Sequence, residues 1–235
     1  MRLFNTSKQS KAKKVAHPVK GRLIHSARDE YGLIQVIDTD TTRSLYFDSP
    51  VEQGRLYFQA PMTLAFEYQQ LMLDVLSEFD DKHKIENTLM LGLGGGLLTN
   101  HLHCYWPNSH HHVVELRQAV IDTAKTYFFM NEDDNIHIHH QDALDFIDQA
   151  VAEGENYTAI LIDLYDGDAM PDIFASEAFL TQLKALKTSK NLLVFNLWLS
   201  SPDSTLKVVK FWEALPYKIQ VDRTQSTGNM ILSIH

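Results

Sequence analysis

Residues 89–98 read LMLGLGGGLL: Leu89-Met90-Leu91-Gly92-Leu93-Gly94-Gly95-Gly96-Leu97-Leu98. An apolar run breaks into four glycines within five positions and then turns apolar again. The segment TLMLGL predicts a buried strand that ends in the glycines. LLTNHLHCYW predicts the helix that follows, stopped by Pro107. Glycine at such a junction lets a ligand or another backbone approach without side-chain obstruction.

The same texture continues downstream. HHVVEL, IHIHHQD, YTAILIDLYD and NLLVFNLW read as strands, and KIQVDR and NMILSIH as a terminal antiparallel pair. RQAVIDTAKTYFF, ALDFIDQAVA, EAFLTQLKALK and STLKVVKFWEAL carry helical spacing between them. Alternating strands and helices, with near-continuous apolar strands, predict an α/β fold whose parallel sheet is covered on both faces. Upstream, YGLIQVID and RSLYF flank the turn residues DTDTTR and predict a small β element, followed by a helix from Thr63 to Phe79. The predicted organisation is a basic flexible arm at 1–20, a β element at 21–60 and a nucleoside-binding domain at 61–235.

Composition narrows the class. The 235 residues are 44% hydrophobic and 22% charged, ordinary for a soluble globular chain. A net charge of −9 argues against nucleic acid as a partner. The exception is the basic start (Lys8, Lys11, Lys13, Lys14, Lys20, Arg22), read as a solvated arm. The single cysteine, Cys104, excludes an internal disulfide and suits a reducing compartment. No apolar run reaches the roughly 18 residues of a membrane span, so a cytoplasmic location without membrane contact is expected.

Two ligands compete for the glycine turn, a phosphate and a nucleoside. Gly92-Leu93-Gly94 has Leu97 where a third, helix-packing glycine would complete a dinucleotide fingerprint, and a Gly-Lys-Ser/Thr ending is absent. Carboxylates end the next strands: Glu115 in VVEL, Asp142 in HQDAL and Asp163 in ILIDLYD. Ligands of open parallel sheets bind off these carboxyl ends, where such a row repels pyrophosphate. It suits sugar hydroxyls, an exocyclic amine and a positive centre, as in a sulfonium nucleoside. Taken alone, Asp142 also reads as a helix N-cap.

In this order, LGLGGGLLTNHL, VVEL, HQDAL and IDLYDGDAMP resemble the spermidine synthase family of aminopropyltransferases, in particular its divergent spermidine synthase-like branch. The stretches SARDEYGLIQVID, RSLYFDSPVEQGRLYF and LAFEYQQLML extend the resemblance over roughly residues 25 to 235. It implies a methyltransferase-like (Rossmann-type), seven-stranded, mostly parallel sheet with a small N-terminal β element that mediates a homodimer. It implies transfer of an aminopropyl group from decarboxylated S-adenosylmethionine to a small-molecule polyamine, with methylthioadenosine as product and no metal. Gly92, Gly94, Gly95, Gly96, Glu115, Asp142, Gln53 and Gln69 would then hold the donor, Glu115 on the ribose and Asp142 on the adenine amine. Asp163, Asp166 and Tyr68 would serve catalysis, with Asp163 steering or deprotonating the amine.

Three departures matter. The family carries an acid in the glycine loop, opposite the donor's ammonium, where this chain has Gly95; Asp166 or Asp168 takes over, or the donor differs. The family's Asp-Pro is replaced by Asp166-Gly167, and Gln53 sits one position late relative to Asp48. An S-adenosylmethionine-dependent methyltransferase and a catalytically silent nucleoside- or polyamine-binding relative are the alternatives.

Other residues read structurally. His101 and His103 diverge on a helix, His110 to His112 lie in a turn entering the second strand, and His137 and His139 share a strand face, so no metal site is expected. Cys104 and Trp198 read as core, and Tyr165 as an aromatic beside the site. Leu206, Val209, Trp212 and Leu215 form a packing stripe, and Tyr46, Phe47, Tyr57 and Phe58 an exposed dimer seam.

Overall fold

A computed structural model describes residues 20–130, 132–167 and 169–235; the arm before Lys20, Asn131 and Asp168 lie outside the described residues. Four strands, β1 (Arg22–Asp29), β2 (Gly32–Asp38), β3 (Thr42–Phe47) and β4 (Glu52–Tyr57), form an antiparallel meander in sequence order. The second sheet has seven strands in the order β10-β11-β9-β8-β5-β6-β7. These are β5 (Asn87–Leu91), β6 (His110–Glu115), β7 (Ile136–His140), β8 (Ala159–Ile162), β9 (Leu192–Trp198), β10 (Ile219–Arg223) and β11 (Asn229–Ile234). β5 to β9 pair in parallel, while β11 runs antiparallel to both β9 and β10. The fold is the expected α/β, methyltransferase-like one.

Six helices cover this sheet: α1 (Glu67–His83), α2 (Leu97–Tyr105), α3 (Gln118–Tyr127), α4 (Ala143–Glu153), α5 (Glu177–Leu186) and α6 (Pro202–Glu213). Side chains of β5 divide between the faces because strand residues alternate. Leu89 and Leu91 join Phe146, Phe179, Val208 and Trp212 of α4, α5 and α6. Met90 joins Met72, Leu76, Leu98 and Ile121 of α1, α2 and α3. The small sheet packs Ile34, Val36, Leu45 and Leu56 onto Leu97, Val120 and Phe128, which places its edge over the glycine loop.

The structure corrects several expectations. α1 begins at Glu67, not Thr63, because Phe66 is extended at the N-cap and the Glu67 carboxylate accepts bonds from Gln225 N, Ser226 N and the Ser226 hydroxyl. His110 to His112 belong to β6, where parallel pairing with β5 and β7 draws them into the sheet. Cys104 is exposed rather than core. In the α6 stripe Trp212 is buried but Leu206 is 50% exposed, since the helix buries the face of Thr205, Val208 and Trp212. Of the aromatic seam only Phe58 is exposed. Tyr46 is buried and donates to Glu52, and Phe47 is buried beneath the Arg117 guanidinium. Among the described residues no helix is long and apolar enough to cross a membrane.

Histidines gather on one face of β6 and β7. His112 Nδ1 lies 3.0 Å from His139 Nε2, and the His112 ring sits 5.2 Å from that of His137. Burial first, then the neighbouring imidazoles, pushes His112 down to about 4. Among the described residues no group of three His, Cys, Asp or Glu converges as a metal site. A depressed imidazole contributes stability above its ordinary value and loses it as pH falls towards the folded-state value. Lowering the pH from about 7 to about 4.5 should therefore lower the melting temperature of the wild type more than that of His112→Asn. Calorimetric melts across that window measure the difference, and parallel curves would contradict it.

Candidate active site

The parallel strands end along one rim, and their terminal residues line a cavity of about 320 Å³. β5 contributes Gly92 and the loop with Gly94 and Gly95; β6 contributes Glu115. Asp142 follows β7, Asp163 follows β8, and Asn196 and Trp198 come from the end of β9. The opposite wall is β4 with Gln53 and Gly54, and the start of α1 with Tyr68 and Gln69.

Two of the glycines are required by their surroundings. Gly92 has φ 95°, and any Cβ there would collide with the Asp163 carbonyl oxygen. The loop can thus lie flat between two strand ends. Gly96, the N-cap of α2 at φ 73°, would place a Cβ 2.7 Å from Met130 Sδ. Gly96 therefore makes room for Met130 after α3 and, unlike the other site glycines, does not line the cavity.

Glu115 is held by the backbone. Its Oε2 accepts from Leu93 N at 3.1 Å and its Oε1 from Arg117 N at 2.9 Å. Burial raises its carboxyl above the ordinary range, and these two donors and the Arg117 charge oppose the rise. Each oxygen keeps a lone pair, so the group can accept both hydrogens of a vicinal diol. Asp142 is the N-cap of α4, with Oδ1 accepting from Leu144 N at 2.7 Å, and it lines the cavity as well. The N-cap expected at this residue is formed, and the residue also lies on the cavity wall.

Asp163 follows β8, the central strand of the seven, on the far side of β5 from Glu115. Its Oδ1 accepts from Asn196 Nδ2 at 2.8 Å and its Oδ2 from the Tyr68 hydroxyl at 3.2 Å. Asn229 Nδ2 in turn donates to Asn196 Oδ1 at 2.9 Å, which fixes the amide's orientation. Burial pushes the Asp163 carboxyl up, and the Asn196 and Tyr68 donors pull it back. Such a group is a stronger base than a solvated carboxylate. Tyr165 donates to the Asn196 carbonyl at 2.9 Å and lies 6.3 Å from Trp198, so both aromatics wall this end; Trp198 is half-buried, not core.

Gln53 Nε2 donates to the Gly167 carbonyl at 2.5 Å, which ties β4 to the loop after β8. Gln69 is buried, and its Oε1 has no hydrogen-bond partner among the described residues. An unsatisfied buried carbonyl on a cavity wall is left for a ligand donor. Asp166 lines the cavity at an exposed position. Sequence reasoning missed Tyr31, Arg117, Asn196, Thr227 and Asn229, all of which line the cavity. Asn196 alone left a signal, a polar residue inside the apolar run LLVFNLW.

No protein-family model matches the chain. Among curated proteins it is 29% identical over 219 residues to the polyamine aminopropyltransferase of Vibrio vulnificus, covering 89% of this chain and 71% of that one. It is 30% identical over 153 residues to the eEF1A lysine and N-terminal methyltransferase of Xenopus laevis, covering 62% of this chain but 22% of that one. Among solved structures, a probable spermidine synthase from Corynebacterium glutamicum superposes with a TM-score of 0.74 at 18% identity, covering 89% of this chain and 79% of that one.

The raised Asp163 carboxyl gives a direct test. Carbon-detected NMR should place its titration above the ordinary aspartate range. Tyr68→Phe removes a donor that favours the anion and should move the titration further up. A midpoint unchanged by the substitution would remove Tyr68 from the group's support.

Proposed function

Starting from a chain that is a divergent spermidine synthase-like protein, we propose that it transfers an aminopropyl group from decarboxylated S-adenosylmethionine to a polyamine acceptor. The observation that carries this reading is the half-buried Asp163, oriented by Tyr68 and Asn196 at one end of a cavity whose other end holds Glu115 and Asp142. Glu115 would bind the ribose diol and Asp142 the adenine amine, each through a carboxylate oxygen. The glycine loop would admit the sulfur-bearing chain. The donor supplies a carbon already activated by positive sulfur, with a neutral thioether as leaving group.

Asp163 does the remaining chemistry. An alkylammonium has a pKa near ~10 and must lose a proton before nitrogen can attack. Asp163 takes that proton while holding the amine in line. The new nitrogen–carbon bond forms as the carbon–sulfur pair departs onto sulfur, leaving methylthioadenosine. Tyr68 and Asn196 hold the carboxylate through both stages, and positioning of this kind is worth several kcal/mol, up to ~7–11. Asp166, at the exposed mouth, would meet the acceptor's second ammonium.

One observation favours a second reading, methyl transfer from S-adenosylmethionine itself. No acid stands at Gly95, where the donor's ammonium would otherwise be neutralised. A Cβ at this position would meet the Phe128 ring at 3.4 Å and the Gly54 Cα at 3.8 Å, ordinary contacts, and the position has no left-handed φ. A carboxylate is therefore sterically tolerable there but absent. On the β4 side, Glu52 brings a carboxylate to the cavity wall, already paired with Arg55. That neutral pair stands in for the missing acid only in part.

Calorimetry separates the readings. Aminopropyl transfer predicts tighter binding of the decarboxylated donor than of S-adenosylmethionine, and a reversed order carries methyl transfer. Glu115→Ala should weaken methylthioadenosine by at least ~tenfold through two lost charge-assisted bonds. Gly95→Asp should shift the donor ratio towards the decarboxylated form by ~tenfold or more, by supplying the partner charge. A ratio that does not move would place the donor's ammonium elsewhere.

A further inference from the structure

The turn between β1 and β2 reaches the nucleoside end of the cavity. Tyr31, at its tip, lines the cavity while remaining 52% exposed. Exposed aromatic side chains at loop tips are ordinary, but this tip is held unusually firmly. Asp29 Oδ1 accepts from Tyr31 N at 2.9 Å. Both Asp29 oxygens accept from the Arg117 guanidinium, at 2.9 Å from Nη2 and 3.0 Å from Nε. Arg117 Nη2 also donates to the Gly32 carbonyl at 3.2 Å, and its guanidinium lies 4.8 Å from the centre of the Phe47 ring. Bidentate pairing of this type gives geometric fixation beyond a point charge.

Arg117 is buried, and its backbone N–H is one of the two donors to Glu115. One residue thus spans the ribose-binding carboxylate and the turn above it. Partial desolvation first, then the charges of Glu30 and Asp142, raises the Tyr31 phenol, so the ring lies within electrostatic reach of Asp142. Leu93, Leu116 and Ala143 also line the cavity next to these carboxylates in sequence, and the turn adds an aromatic ring to them.

We propose that Tyr31 is a ligand-contacting residue that covers the adenosyl group with its ring, and that Asp29 and Arg117 are the pair that positions it. The proposal rests on the adenosyl nucleoside reading of the site. An aromatic ring over a base binds through its apolar face and tolerates loss of the hydroxyl. Asp29 touches no ligand; its effect passes through Tyr31.

Titration calorimetry with methylthioadenosine tests this on the full chain. Tyr31→Ala should weaken binding ~tenfold, and Tyr31→Phe should restore it to within ~twofold of the wild type. Asp29→Asn should weaken binding severalfold in the wild type yet add little to Tyr31→Ala, a non-additivity that a general loss of stability does not produce. Tyr31→Ala binding as tightly as the wild type, while Glu115→Ala does not bind, would overturn the roof and leave the nucleoside reading intact. Full additivity of Asp29→Asn with Tyr31→Ala would overturn the positioning pair. A wild type with no affinity for methylthioadenosine would overturn the nucleoside reading itself, and the roof with it.

Discussion

Burying a carboxylate at a sheet rim costs several kcal/mol unless fixed donors replace its water. Asp163 and Glu115 are both in that position, and much of the neighbouring architecture exists to supply those donors. Glu115 is met by two backbone N–H groups, from the glycine loop and from the start of α3. Asp163 is met by side chains from α1 and β9. The two solutions differ in consequence. Backbone donors leave the carboxylate's outer lone pairs facing the cavity, which suits recognition. Side-chain donors can be altered residue by residue, so the proton affinity of Asp163 can be tuned without reshaping the loop.

These supports require the two sheets to hold one relative position. Polar ties do this from different sides. Arg117 clasps Asp29 of β1, Gln53 of β4 reaches the Gly167 carbonyl, and Arg43 of β3 donates to the Tyr127 carbonyl at 2.9 Å. Beneath them, Leu97, Val120 and Phe128 bury the apolar face of the small sheet. The glycine loop lies where the sheets meet, so it is shaped by both. A Cβ on Gly54 would already stand 3.4 Å from the Gly95 backbone, so β4 meets the loop where it carries no side chain.

The strand ends were legible because they are local. Gly92, Glu115 and Asp163 each stop an apolar run, and parallel strands deliver such stops to a common rim. What was illegible depended on partners far away in sequence. The start of α1 is set by a turn some 158 residues downstream. The aromatics of β3 look like an exposed seam in isolation, but Arg117 and Glu52 cover them. His110 to His112 resemble a polar turn until parallel partners on both sides bring them into a strand. Gly96 reads as a ligand glycine only while the position of Met130 is unknown.

β11 lies inside the large sheet, between β9 and β10, and carries Asn229, which orients Asn196 and through it Asp163. β11 follows β10 in the chain yet sits between β10 and β9, so the hairpin docks against β9 as a unit. Its docking brings Asn229 to Asn196, so closure of the sheet and alignment of the Asp163 carboxylate are one event.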